Sequence, residues 1–209
     1  MEQVYNIKMN RGWFWYAPFI IFSIICFSCS MVSDGVAFTV NDEPISLAQY
    51  EQQLEKEKLM VIRDFEVKYK TRFGPGFWTM NFGGDIPANV LKKRAKDAII
   101  VSTVKKMMAR ELGLIEKIGY EDFLKELDSV NNVRIKAVKD GKVIYGPVTY
   151  TVEIYSGYYM SLLENAILDK ISTTELTADE IRSKYEGMIR ERIKKVKIDI
   201  DKDEELVVL

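Results

Sequence analysis

Asp199, Asp201 and Asp203 alternate near the C-terminus, the spacing by which a calcium loop converges carboxylates on one cation. The loop fails at two positions: Glu204 stands where its sharp turn needs glycine, and its closing bidentate glutamate would fall at 210, past Leu209. Residues 201–209 therefore read as a solvated acidic tail. Gly74-Pro75-Gly76 and Gly83-Gly84 hint at a phosphate cradle, but neither has the glycine spacing or the Lys-Ser/Thr of a phosphate loop, and Pro75 removes an N–H donor. The carboxylate pairs Glu121-Asp122 and Asp179-Glu180 fall at helix starts, where they complement the N-terminal dipole. There is no histidine, which excludes Ser-His-Asp and Cys-His catalysis and zinc sites built on imidazole. Only carboxylate, Lys or Tyr chemistry remains open, and no catalytic residue, metal ligand or cofactor is assigned.

Aromatic residues stand out instead. The 209 residues include eleven Tyr, ten Phe and three Trp. Phe73, Phe77, Trp78 and Phe82 crowd the glycine-rich stretch, and Tyr145, Tyr150, Tyr155, Tyr158 and Tyr159 follow later. Interior packing absorbs some of these rings. As a set they are the candidate peptide-binding residues, since aromatic faces with few charges suit sequence-tolerant contact with extended or unfolded polypeptide. The 30 basic and 31 acidic residues nearly cancel, so no electrostatic footprint for nucleic acid is present. Lys92, Lys93, Arg94 and Lys96, like Arg190, Arg192, Lys194 and Lys195, read as solvated helix faces.

The elements that must carry these residues are mainly helical. Val36 to Val40 reads as a strand, followed by turn residues Asn41 and Asp42 and by Pro44-Ile45. Ser46 to Gln49 then has the capping-box pattern, opening a helix to about Tyr69 with Leu47, Tyr50, Leu54, Val61 and Phe65 inward. Pro87 starts a second helix whose stripe is Leu91, Ala95, Ala98, Val101, Val104, Met108 and Leu112, ended by Gly113. A third runs from about Tyr120 to Val138 over Phe123, Leu127 and Val130. Val143 to Thr151 reads as extended, and a fourth helix covers roughly 153–172. Thr177 to Glu180 is another capping box, opening a fifth helix with Ile181, Tyr185, Ile189 and Ile193 at helical spacing. Val196 to Ile200 alternates like a strand and is predicted to pair with the first, because a lone strand leaves its backbone groups unmatched. The expected fold is thus five helices with a two-stranded sheet joining the ends of residues 30–200, preceded by an N-terminal hydrophobic helix.

That N-terminal segment carries both cysteines. Trp13 to Val32 holds no charge and follows Lys8 and Arg11, the pattern of an export signal, and it is long enough to span a bilayer as an anchor. Ser28-Cys29 matches the end of a bacterial lipoprotein signal, although Cys26 stands where Leu is usual. Cys29 is the lipidation candidate; ordinary cleavage and an uncleaved anchor stay open. Residues 1–29 are expected to hold the protein at a membrane on its extracytoplasmic side.

Phe38-Thr-Val-Asn-Asp-Glu-Pro-Ile-Ser46 resembles the VNGEPIS opening of extracytoplasmic folding factors of the PrsA and SurA type. The likeness continues through Phe77-Trp78, Phe82-Gly83-Gly84 and Pro87, then Gly113-Leu114-Ile115, Tyr120 to Leu124 and Val143 to Pro147. Val196 to Ile200 resembles the closing strand that pairs with the opening one. The resemblance implies a Gram-positive source and a helical chaperone-like region that cradles client chains. Many members add a parvulin domain of about 90 residues with histidines, and neither fits in this chain. It follows that the expected function is binding of unfolded or newly secreted polypeptides without covalent chemistry. The alternatives are a residual peptidyl-prolyl isomerase activity or a scaffold for one membrane partner.

Overall fold

A computed structural model describes residues 35–172 and 175–200. The expected hydrophobic helix, Cys29, Asp201, Asp203 and the acidic tail lie outside them. Strand β1 (Val36–Val40) and strand β2 (Glu43–Ser46) form an antiparallel hairpin closed by Asn41 and Asp42. Both turn residues have positive φ, 49° and 68°, the backbone a two-residue hairpin needs to follow the strand twist and one that Asn and Asp tolerate. Strand β3 (Ile198–Ile200) pairs antiparallel with the other edge of β1, giving the order β2-β1-β3.

The pairing of β1 with β3 is as expected, but the sheet has three strands instead of two. The second strand contains Pro44, which donates nothing to a ladder. It is tolerated here because β2 is an edge strand. Asn41 fastens the two ends together: its N–H donates to the Lys197 carbonyl at 2.9 Å and its Oδ1 accepts from the Lys197 N–H at 2.8 Å.

Helix α1 (Leu47–Tyr69) starts at Ser46, whose hydroxyl accepts from the Gln49 N–H at 3.2 Å. Tyr50, Leu54, Val61 and Phe65 are buried, and Leu47 is half-buried. A short 3₁₀ turn (Phe77–Thr79) leads to α2 (Pro87–Glu111), with Pro87 in its first turn. Gly113 takes φ 72° just past its end. Helices α3 (Tyr120–Lys139), α4 (Val152–Ile171) and α5 (Ala178–Lys194) follow. Thr177 and Glu180 form a complete capping box on α5.

Helix α2 is the centre of the fold. Helices α1, α4 and α5 all pack on it, so Ile99, Ile100, Thr103, Met107 and Ala109 are buried beside the expected Leu91, Ala95, Val104 and Met108. Ala98, Val101 and Leu112 are only half-buried. A single inward stripe describes a helix with one partner, and α2 has three. The sheet closes one end of this core with Phe38 and Val40, fully buried, and Phe38 meets Tyr50 edge-on at 5.8 Å. Among the described residues, no helix is long and apolar enough to cross a membrane.

Candidate functional site

Eight of the nine aromatic candidates fall into two clusters. The first gathers at the C-terminal end of α1, where Phe65 and Tyr69 meet Phe73, Phe77, Trp78 and Phe82. Ring centroids lie 5.2–6.2 Å apart, mostly edge-on, the arrangement aromatic quadrupoles favour. Phe77 is only 2% exposed, Trp78 and Phe82 are half-buried, and Phe73 is exposed. Polar contacts hold this loop down. Asp85 accepts from the Tyr69 hydroxyl at 2.6 Å and from Lys68 at 2.8 Å, and the Lys68 hydrogen bond holds the Asp85 carboxyl below its ordinary pKa. Glu66 accepts from the Phe73 N–H, and Asn81 from the Gly84 N–H. The glycine-rich segment is thus a closed plug over the end of the core.

The second cluster joins α3 and α4. Phe123 lies 5.5 Å from Tyr155 and 5.6 Å from Tyr159, and Tyr120 stacks on Phe123 at 6.0 Å. Tyr150 stacks on Tyr158 at 6.1 Å. Tyr155 is buried, Tyr150 and Tyr159 are half-buried, and Tyr158 is exposed. The Tyr155 hydroxyl donates to Glu126 at 2.8 Å, and burial followed by this bond raises its pKa far above the usual phenol value. Burial also raises Tyr120 and Tyr159, and the Tyr120 hydroxyl, like that of Tyr155, is already engaged as a donor.

Tyr145 stands apart from both clusters, 90% exposed on the segment between α3 and α4. That segment forms no strand, although it reads as extended in the sequence, because side chains of α3 take its backbone groups. Arg134 stacks 4.5 Å over Tyr150 and donates to the carbonyls of Tyr145 and Pro147. Asn131 exchanges two hydrogen bonds with the Tyr150 backbone, at 3.0 and 2.7 Å.

Beside the second cluster the surface opens. Three adjoining clefts of about 390, 50 and 250 Å³ share residues in sequence. The first and second share Lys106, Phe123 and Tyr159; the second and third share Gln52, Gln53 and Ser156. Together they form a groove whose floor is α2, through Ile99, Ser102 and Lys106. One wall is α1 with Gln49, Gln52, Gln53, Glu55, Lys56 and Leu59; the other is formed by α3 and α4 with Tyr120, Phe123, Glu153, Ser156 and Tyr159. The Tyr120 hydroxyl reaches across to Gln52 Oε1 at 2.9 Å. From Gln49 to Leu59 the helical rise gives a wall of about 15 Å, the span of four or five extended residues. Neutral amides and hydroxyls along it can satisfy a peptide backbone, while the rings take apolar side chains.

Lys106 is the unusual member. It is 9% exposed, with its ammonium 5.6 Å from the Phe123 ring centroid and 5.9 Å from that of Tyr159. Burial pushes its pKa below the ordinary lysine value. Its neighbour Lys105 points elsewhere and pairs with Glu164 at 2.8 Å.

Of the expected binding residues, Tyr159 lines the groove, and Tyr155 sits beneath it in contact with Phe123 and Tyr159. Gln49, Gln52, Gln53, Ser102, Lys106 and Ser156 were missed. A signal was present: Gln49, Gln52 and Gln53 share a face of an otherwise charged helix, as do Ser102 and Lys106 one turn apart on α2.

No family model matches the chain, and no solved structure is significantly similar to it. It is 25% identical over 111 residues to a protein of Bifidobacterium longum named as a chaperone for lacto-N-biosidase. The matched region is 52% of this chain and 40% of that relative.

Proposed function

We propose that the protein is an extracytoplasmic chaperone, held at a membrane by residues 1–29, that binds unfolded or newly translocated polypeptide in the groove between α1 and α4. The observation that carries this reading is the groove itself: α2 supplies a floor, amides, hydroxyls and aromatic faces line its central part, and Glu55, Lys56 and Glu153 stand at one end. Such a lining recognises any extended backbone while remaining tolerant of side-chain sequence. The PrsA- and SurA-like motifs and the relative named as a chaperone support the same assignment.

The test is suppression of client aggregation, followed by light scattering, with the full-length chain in lipid nanodiscs. Suppression at stoichiometric amounts is expected. No effect at several-fold molar excess of folded protein contradicts it. Residual isomerase activity is checked separately on a proline-limited refolding reaction, whose uncatalysed rate is slow enough to measure easily; an unchanged rate is expected.

A second reading is favoured by the relative's name, which specifies one enzyme as its client. On that reading this chain also serves one dedicated partner. Recovery of one stoichiometric protein by affinity capture favours it, and a spread of clients favours the general chaperone.

A further inference from the structure

No residue between Leu127 and Tyr155 is buried, although this stretch runs through the second half of α3, the connection to α4 and the start of α4. Its apolar side chains stand in water. Val133, Val138 and Val148 are exposed, and Val143 and Tyr145 are 86% and 90% exposed. Helices in proteins are held chiefly by packing of an apolar face, so a half-helix and a loop that present theirs to solvent mark a surface left for a partner.

The display is fixed from behind. Gly141 ends α3 with φ 72°, and the N–H groups of Lys142 and Gly141 return to the carbonyls of Ala137 and Val138 at 2.9 and 3.0 Å. Arg134 then donates to the Tyr145 carbonyl at 2.6 Å and to that of Pro147 at 2.5 Å while stacking on Tyr150. With its carbonyls held in this way, the loop keeps its shape without turning Val143 or Tyr145 inward.

Charge around this tip is one-sided. Between Asp128 and Glu153 stand four basic residues, Arg134, Lys136, Lys139 and Lys142, against Asp140 alone, in a chain whose charges otherwise nearly cancel. The three lysines are exposed, and none makes an ion pair among the described residues. By contrast Lys58, Lys68, Lys93, Lys105, Lys117 and Lys194 each reach a carboxylate.

We propose that this tip docks on an anionic lipid bilayer surface, with Val143, Tyr145 and Val148 entering the interface and Lys136, Lys139 and Lys142 lying among the headgroups. Charge complementarity selects this partner: an anionic bilayer offers phosphates to free ammonium groups and an apolar boundary to valines and a tyrosine ring on the same surface. The long lysine stems can lie along that boundary with their charges in the headgroup layer. A client peptide is the weaker match, because none of the clefts that form the groove has a lining residue between Asp128 and Val152. The contact is separate from the groove and does not depend on residues 1–29.

The experiment places an environment-sensitive fluorescent amino acid at position 145 of the full-length protein, and in a second sample at Val67, which is exposed on α1. Each is mixed with vesicles whose acyl chains carry a nitroxide quencher, made of phosphatidylcholine alone or with about one-third phosphatidylglycerol. Quenching of about twofold or more is expected at 145 in the anionic vesicles, with little in phosphatidylcholine and little at 67. Lys136→Gln, Lys139→Gln and Lys142→Gln combined are expected to bring quenching at 145 down to the phosphatidylcholine level with an unchanged melting temperature, since these side chains are exposed and unpaired. No quenching at 145 in either lipid, equal quenching in both, or equal quenching at 145 and 67 overturns the proposal. Flotation with phosphatidylcholine vesicles reads anchoring by residues 1–29 separately, so its failure leaves the quenching at 145 to decide the tip.

Discussion

At the C-terminal end of α1, six aromatic rings pack against one another until almost no space is left; along its N-terminal half, a second set of rings leaves a groove open. The first set is rich in phenylalanine, and its polar neighbours are spent internally, with Asp85, Glu66 and Asn81 fastening the loop to α1 and to itself. The second is rich in tyrosine, and faces three glutamines, two serines and a lysine. Only the second leaves open space beside its rings, lined by hydrogen-bonding side chains of which Gln52, Gln53 and Ser102 are partly engaged within the fold. Aromatic abundance alone therefore does not mark a binding surface; what marks it is the polarity and the volume left beside the rings.

The contrast is sharpest in the response to losing one ring. Phe77→Ala is expected to cost about 3–5 kcal/mol of stability, as for other buried phenylalanines, with the affinity of the remaining folded protein for peptide unchanged. Chemical denaturation followed by anisotropy checks both halves. Reduced affinity in folded Phe77→Ala would break the distinction between plug and groove. Tyr159→Ala is expected to do the reverse, weakening peptide about tenfold, or about 1.4 kcal/mol, with a smaller loss of stability, because Tyr159 is only half-buried.

Lys106→Met sharpens the comparison from the other side. Removing a buried charge that makes no direct ion pair, and whose desolvation outweighs the attraction of Glu126, is expected to stabilise the unliganded fold by about 1 kcal/mol, a rise of a few degrees in Tm. The folded pKa of Lys106 lies below its unfolded value of 10.5. Between the two, the unfolded chain holds the extra proton, so the cost is full below the folded pKa and disappears above 10.5. Stability of the unaltered protein should gain with pH across that window relative to Lys106→Met, as urea midpoints measured at several pH values will show. A variant that is less stable throughout would mean that Lys106 is already compensated. Phe73→Ala, at an exposed position, should change stability by less than about 0.5 kcal/mol and leave peptide binding intact.

Local chemistry made much of the fold legible. Ser46, Pro87, Gly113 and Thr177 announce helix ends because each acts on backbone groups within a few residues, and each does so in the structure. Strand β2 was hidden because Pro44 forbids a central strand but not an edge, and edge or centre is decided by β3, some 150 residues away. The groove was harder still to read. Its lining comes from four helices, and whether a residue faces core, cleft or solvent depends on how those helices meet. Lys105 and Lys106 show this: the two adjacent lysines differ by one helical step, and one makes a half-buried ion pair with Glu164 while the other lies beside two rings. The aromatic set was identified as a whole, but its division into plug and groove followed from the packing of Phe65 and Phe123, which no periodicity distinguishes.

Site-specific photo-cross-linking tests the central claim most directly. p-Benzoylphenylalanine is placed at Gln53 or Ser156 in the groove, and at Phe73 on the aromatic plug, in the full-length chain in nanodiscs with a reduced, alkylated and so permanently unfolded polypeptide. Adducts from Gln53 and Ser156, with little or none from Phe73, are the predicted result. Adducts mainly from Phe73, with none from the two groove positions, would contradict the account.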